Sequence, residues 1–379
     1  MPFPLTPLPA PLPPPTITVT PNEPRTLLAV GSHSGLTHIL ARNPHISHVG
    51  DSSLLLHSAP AGASDSTWVP AASLPVDPTA PGSISAVGFA PPHGGALVAT
   101  GSSSGVVCIW APPLPVPSSS SPPTTNAWPP TTNTWDLVVR LHATGRRISA
   151  VTFHPDASYP LLAVGSEDGY VRIYAPTGRQ PAWDLAYIFS PGLGVGGQDG
   201  CDAVTNLSWR PGEAGETELT PALAVATAPI SPGGGDPLTV PAGAGGSASV
   251  WALRAEEGRW VHGGTLVEGP CTDVAWARGA GVGFEVVSVA SGTSVHVCSV
   301  RGALEEVEVA SLQVLEMARP AWRVEWDMLG LDLAIGLEGG GLSLWELRLS
   351  GDLTPTLGKM GVLDGAWVER ERQRRVAGA

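Results

Sequence analysis

The sequence predicts an all-β chain, a β-propeller of six four-stranded blades. Three observations carry this. Short segments with period-two patterning recur along the chain. They come in similar hairpins, of which LLAVGSEDGYVRIYAP, Leu161 to Pro176, is the clearest. Corresponding strands stand at nearly constant distances, the mark of a repeat architecture.

The first strand of each unit carries a bulky residue after alternating positions. Its copies are ISAVGFAP from Ile84, ISAVTFHP from Ile148, VTNLSWRP from Val204, CTDVAWAR from Cys271 and AWRVEWDM from Ala321. Val87 and Phe89, Val151 and Phe153, Leu207 and Trp209, Val274 and Trp276, and Val324 and Trp326 are same-face pairs. The second strand is apolar on both faces (ALVATG, LLAVGS, ALAVAT, VVSVAS, LDLAIG), as suits a strand covered on both sides. A small residue ends it and permits the turn. The third strand ends on or near an aromatic, at Trp110, Tyr174, Trp251 and Trp345, with Val297 in the fifth unit. From Phe89 to Trp110, Phe153 to Tyr174 and Trp276 to Val297 the distance is 21 residues. From Trp326 to Trp345 it is 19, and from Trp209 to Trp251 it is 42, a Gly/Pro/Ser insertion at 230–247 accounting for the excess. Fourth strands are expected at WDLVVRLH, WDLAYIF, RWVHGGTLV and EEVEVASLQVLE. A weaker first unit reads as TITVTP, TLLAVGS, LTHILAR and a strand around SLLLHSA.

Four-stranded units at this spacing describe a WD40-type propeller. The Trp-Asp ending and the Gly-His pair are missing, so the usual His–Asp network is not expected. Asp168 and Asp273 read as local turn residues. The expected core is Phe89, Trp110, Phe153, Tyr174, Trp209, Trp251, Trp276, Trp322 and Trp326, each burial contributing roughly 3 kcal/mol.

Composition fits a folded chain. Gly (46) and Pro (40) are abundant and only 14% of residues are charged, but 42% are hydrophobic and thirteen are Trp. Disordered chains lack aromatics and are rich in charge. The net charge of -13 gives no basic surface for nucleic acid; the mixed-sign ERERQRRV near the end reads as a solvated tail. The cysteines at 108, 201, 271 and 298 have no CxxC spacing and read as buried free thiols. The N-terminus, MPFPLTPLPAPLPPP, lacks the pattern of a signal peptide, and no apolar stretch is long enough to span a membrane. Residues 1–15 are expected to be a Pro-rich disordered arm and 16–349 the propeller. Low-complexity loops fall at about 50–82, 111–134 and 229–247, and 350–379 is a C-terminal extension.

No motif for catalysis, cofactor or metal emerges. HExxH, P-loop, GxSxG and zinc-ligand spacings are absent. GLGVGG at 192–197 is followed by a strand pattern, not a helix. His33, His38, His45 and His48 lack a completing Cys or Asp and read as loop histidines.

Six blades raise a problem of edges. Nothing after the last unit obviously returns a strand to the first, although GAWVER is a weak candidate strand. An open side offers unpaired strands to a partner. Leu27, Leu28, Val30, Leu36 and Ile39 in the first blade, and Leu342, Leu344 and Trp345 in the last, are the interface candidates.

The last unit, AWRVEWDMLGLDLAIGLEGGGLSLWELRLSGDL, with its WRVxW core at Trp322 to Trp326, resembles the final blade of the Seh-type nucleoporins, the propeller homologues of the coat protein Sec-thirteen. SAVTFHPDASYPLLAVGSEDGYVRIYAP looks like that family's third blade, and SVWALRAEEGRWVHGGTLVEG like its link between the fourth and fifth. The similarity spans most of 84–349. It implies an open six-bladed propeller without enzymatic activity or cofactor. A large α-solenoid nucleoporin would donate the missing blade within the Y-shaped outer-ring complex of the nuclear pore. A second pool in a vacuolar-membrane complex regulating TOR is also implied. Another outer-ring propeller and the coat protein itself are the neighbouring readings, and a closed WD40 adaptor or a propeller enzyme the more distant ones.

Overall fold

The computed structural model describes residues 16–21, 27–32, 34–42, 68–75, 82–91, 97–112, 135–156, 161–177, 182–194, 202–211, 220–230, 245–254, 256–278, 284–301, 307–327, 329–349 and 355–363. The proline-rich arm, the segments 113–134 and 231–244, and GAWVER lie outside them. The chain divides into two compact units, Met1–Gly145 and Arg146–Ala379.

The first unit holds two sheets. One is β1 (Thr16–Pro21), β2 (Leu27–Ser32), β3 (Leu36–Arg42) and β4 (Trp68–Pro75); the other is β5 (Ile84–Phe89), β6 (Val98–Ser102), β7 (Val106–Ala111) and β8 (Asp136–His142). The second unit holds four. They are β9 (Ile148–Phe153), β10 (Leu162–Ser166), β11 (Val171–Thr177) and β12 (Ala182–Phe189); β13 (Ala203–Trp209), β14 (Ala222–Ala228), β15 (Ser247–Arg254) and β16 (Arg259–Glu268); β17 (Asp273–Trp276), β18 (Glu285–Ser291), β19 (Ser294–Arg301) and β20 (Glu308–Glu316); and β21 (Ala321–Trp326), β22 (Asp332–Leu337), β23 (Gly341–Leu349) and β24 (Pro355–Leu363). Every sheet is an antiparallel meander in chain order and none closes into a barrel. The fold class is therefore the one expected, six four-stranded sheets consistent with an open six-bladed WD40 propeller.

Two predicted boundaries move. The first blade's outer strand is β4, not SLLLHSA, which lies outside the described residues. Ala72 and Leu74 are buried while Ser73 and Pro75 are exposed, so the second half of WVPAASLP alternates with period two after a register slip at Ala71. The last blade's outer strand, PTLGKMGVL, lies beyond residue 349. Its position is fixed by a neighbour. The Gln313 amide on β20 accepts from Leu357 N (2.7 Å) and donates to Leu357 O (3.3 Å), pairing β24 as a peptide group would.

The hairpin repeat has a chemical cause in its turn. Ser32, Ser102 and Ser166 each end a second strand, and each hydroxyl meets the side chain two residues on and the carbonyl four residues on. Between them Gly35, Gly105 and Gly169 adopt φ of 76°, 84° and 80°, which a side chain disfavours. Asp168 is the turn residue expected: it accepts from Tyr170 N and forms an ion pair with Arg172 at 2.7 Å.

The inner strands share a bulge. In β5, β9, β13 and β21 the register with the second strand slips at Ser85, Ser149, Thr205 and Trp322. Thr272 and Asp273 likewise both oppose Ala290. A bulge turns the extra residue out of the alternation. In the second unit that side chain reaches the next blade: Ser149 Oγ donates to Val204 O (2.5 Å), Thr205 Oγ1 to Cys271 O (2.7 Å) and Thr272 Oγ1 to Ala321 O (2.9 Å).

Of the expected core, Trp110, Phe153, Tyr174, Trp209, Trp251, Trp276 and Trp326 are buried and Phe89 packs half-buried against the cluster of the first two sheets. Trp322 does not belong with them. It is 51% exposed, because the bulge at Trp322 breaks its phase with Val324 and Trp326. Trp110, Trp251 and Trp345 donate their indole N–H to Thr100, Ser249 and Ser343, so a tryptophan–hydroxyl bond persists without the His–Asp pair. Cys108, Cys271 and Cys298 are buried and form no disulfide with one another, and burial pushes the Cys271 thiol up to about 12 and the Cys298 thiol to about 11. Cys201 lies outside the described residues.

Two outcomes are expected. Gln313→Ala removes both bonds to Leu357 and should cost about 1–2 kcal/mol, with faster hydrogen exchange at Leu357 than at Leu347. His154 is buried edge-on against Trp209, 4.8 Å between centroids, and accepts from Asp156 N at Nδ1. Burial lowers its pKa below 6.5, against the opposing pull of Asp156. The unfolded chain therefore takes the proton first, and stability falls as pH drops below about 6.5. Burial lowers His262 and His296 in the same sense. Urea midpoints should fall between pH 7.5 and 5.5, and less steeply in His154→Gln.

Candidate functional site

The last blade differs from those before it in how its faces are covered. The second strands β2, β6, β10 and β14 are buried throughout, and β18 is buried except at its ends. In β22 burial alternates: Leu333, Ile335 and Leu337 are buried, while Asp332, Ala334 and Gly336 are half-buried. The register carries this face across the sheet. Arg323 opposes Gly336, which opposes Leu342; Glu325 opposes Ala334, which opposes Leu344. Arg323 and Glu325 are exposed, and Leu342 and Leu344 half-buried. Trp322 lies over Gly336, where an added Cβ would come 3.3 Å from the indole Nε1. One side of the last sheet thus presents a tryptophan, an arginine, a glutamate and two leucines over a floor of small residues. Its other side packs Val324, Trp326, Leu333 and Ile335 into the core shared with the fifth blade.

A buried carboxylate holds β21 in place. Asp273, 1% exposed, was read from sequence as a turn residue; the structure makes it an inter-blade tie instead. Its Oδ1 accepts from Val274 N (3.0 Å) and from Asn206 Nδ2 on β13, and its Oδ2 from Val324 N on β21 (2.7 Å). Arg323 Nε stands 3.6 Å away. Burial pushes this carboxyl up from the ordinary carboxylate range, and Arg323, Asn206 and the two backbone N–H groups oppose the shift.

The interface candidates separate into two groups. Leu342 and Leu344 lie on the half-covered face, whereas Trp345 opposes Leu333 on the other side and packs half-buried against the core, with Lys359 5.8 Å from its ring. Leu27, Leu28, Val30 and Ile39 are buried on β2 and β3, and Leu36 is half-buried. Both β2 and β3 are already paired on each side, so their backbones offer no free edge. In the last blade, too, β23 is interior, and its candidates present side chains rather than an edge. Trp322, Arg323 and Asp273 are the residues that reading by strand period missed. Stacking the inner strands at their bulges would have found them, in the columns Ser149, Thr205, Thr272, Trp322 and Asn206, Asp273, Arg323.

Among the described residues no group of three or more His, Cys, Asp or Glu side chains is placed to hold a metal. His38 bonds Ser73 at 3.1 Å; His33, His45 and His48 lie outside. No described helix is long and apolar enough to cross a membrane.

The WD domain, G-beta repeat family matches residues 135–175, the outer strand of the second blade and the first three strands of the third. The chain is 27% identical to Nucleoporin seh1 of Drosophila melanogaster over 53% of its length and 52% of that protein, about half of each. It is also 27% identical to Protein transport protein sec13 of Aspergillus clavatus, over 71% of this chain and 82% of the relative. The crystal structure of Saccharomyces cerevisiae Sqt1 aligns over 74% of this chain and 62% of its own at 12% identity, with a TM-score of 0.47. One stretch of the chain thus matches the WD40 repeat, and the chain is similar at low identity to Seh1 and Sec13.

Asp273→Asn leaves one carbonyl oxygen where two oxygens accept three N–H groups. It should cost about 1–3 kcal/mol in denaturant unfolding, whereas Asp168→Asn, at a carboxylate that bonds Ser166, Tyr170 and Arg172 within one hairpin rather than across three blades, should cost less.

Proposed function

We propose that the chain is a non-catalytic scaffold subunit of the nuclear pore outer-ring complex. A large α-solenoid nucleoporin binds the half-covered face of its last blade and contributes a further blade there. The observation that carries this reading is the alternation of burial in β22, against full coverage of the second strands of the earlier blades. Uncovered leucines and a tryptophan on a rigid sheet are what a partner sheet buries. The similarity to Seh1 and Sec13, a nucleoporin and a transport protein by name, supports the complex chosen. The protein then resides at the nuclear envelope among other outer-ring nucleoporins and supports nucleocytoplasmic transport, including that of protein and mRNA. A second pool in a vacuolar TOR-regulating complex belongs to the same reading. The longer match to Sec13 favours one alternative, a coat-type transport assembly that completes the same blade face.

Lys359 on β24 is the only lysine, so an amine-reactive crosslinker reports on the last blade and the N-terminus alone. Native purification followed by crosslinking mass spectrometry should join Lys359 to one α-solenoid protein, with outer-ring nucleoporins in the eluate. Coat subunits in their place would select the alternative. A monomer without such crosslinks would sink both.

A further inference from the structure

We infer that Arg323 and Trp322 together recognise an acidic residue, flanked by an apolar one, on the extended segment that packs against the last blade. The inference rests on reading that blade face as partner-bound.

The argument comes from the inner strands. Asn206, Asp273 and Arg323 occupy the same place, the first residue after the bulge. Asn206 donates its amide N–H forward to Asp273 of the next blade. Asp273 also accepts Val324 N from the blade after that. The polar series therefore runs donor to acceptor from β13 to β17 and meets a second donor on β21. Arg323 is that series' last described member. Its Nε is 3.6 Å from Asp273, outside hydrogen-bond distance, and its side chain is 49% exposed. A guanidinium has five N–H donors in a planar fork matched to a carboxylate. Among the described residues the Arg323 side chain makes no hydrogen bond; its ion pair with Asp273 engages Nε alone, and Glu325 on its own strand does not pair with it. An acid at the corresponding position of the next segment would continue the alternation.

Trp322 specifies the neighbouring residue. At its place Ser149, Thr205 and Thr272 send a hydroxyl to the next blade's carbonyl. The Trp322 indole makes no such bond among the described residues and instead offers a largely apolar surface, half exposed and seated on Gly336. The segment that fits has an apolar side chain here and a carboxylate beside it. Charge complementarity calls for an acid on that segment; a symmetric contact with a second copy of this chain centred on Arg323 would instead set Arg323 against Arg323.

The test replaces Trp322 with photoreactive benzoylphenylalanine in the full chain, expressed in native cells, and sequences the crosslinked peptide. A peptide of another protein with Asp or Glu within about two residues of the adduct is expected. Yield, measured well below the melting temperature of each variant, should fall about tenfold in Arg323→Gln and recover only in part in Arg323→Lys. A peptide without an acid, a peptide of this chain, or a yield indifferent to Arg323→Gln would overturn the inference. If the Lys359 crosslinks persist through such a result, the partner-bound blade face stands and only the acidic recognition falls. Loss of both sets sinks the face as well.

Discussion

The constraint on which the second unit depends is the bulge in each inner strand. A strand that kept strict alternation would place every side chain on one of two sheet faces and leave its backbone edge with nothing to say to the next blade. One extra residue redirects a hydroxyl sideways, and in three successive blades that hydroxyl finds a carbonyl. Each bond is worth about 1 kcal/mol net, so no single one holds the unit together. Their value is register: together with Asp273 and the Trp209–Thr152 and Ser208–Trp276 bonds they fix the height of each sheet against its neighbour. The aromatic core between the third and fourth blades follows from that. Phe189 stacks on Trp251 and Trp260 at 4.7 and 5.4 Å, and Trp260 meets Trp209 at 5.8 Å.

A buried carboxylate among these bonds is costly to desolvate, and a well-packed apolar residue is often as stabilising. Asp273 is tolerated because three N–H groups converge on it. They come from three different blades, so the same residue that resists burial also refuses any slip between them. That is a gain in specificity rather than in stability.

Much of the fold was legible in the sequence. Apolar second strands, aromatic markers and the Gly-Ser turns state their period openly, because burial on both faces and a left-handed glycine leave few residue types to choose from. The outer strands were less so. WVPAASLP and PTLGKMGVL lie at blade rims, where prolines, glycines and a lysine interrupt alternation at little cost. The candidate face was half legible. Leu342 and Leu344 stand out as apolar residues at the end of a repeat, whereas Trp322 reads as core until the bulge is known. Asp273 was mistaken for a turn residue because a single sequence shows the acid but not the two strands, 67 and 51 residues away, that supply its donors.

Every sheet is built from four strands that follow one another in the chain. No described blade borrows a strand from the opposite terminus. Each can therefore close on itself as the ribosome delivers it, with no wait for a distant end. Among the described strands β24 is synthesised last, and it is the rim of the very blade whose face stays half uncovered. A chain stalled before residue 355 presents five finished sheets and a last one without its rim strand.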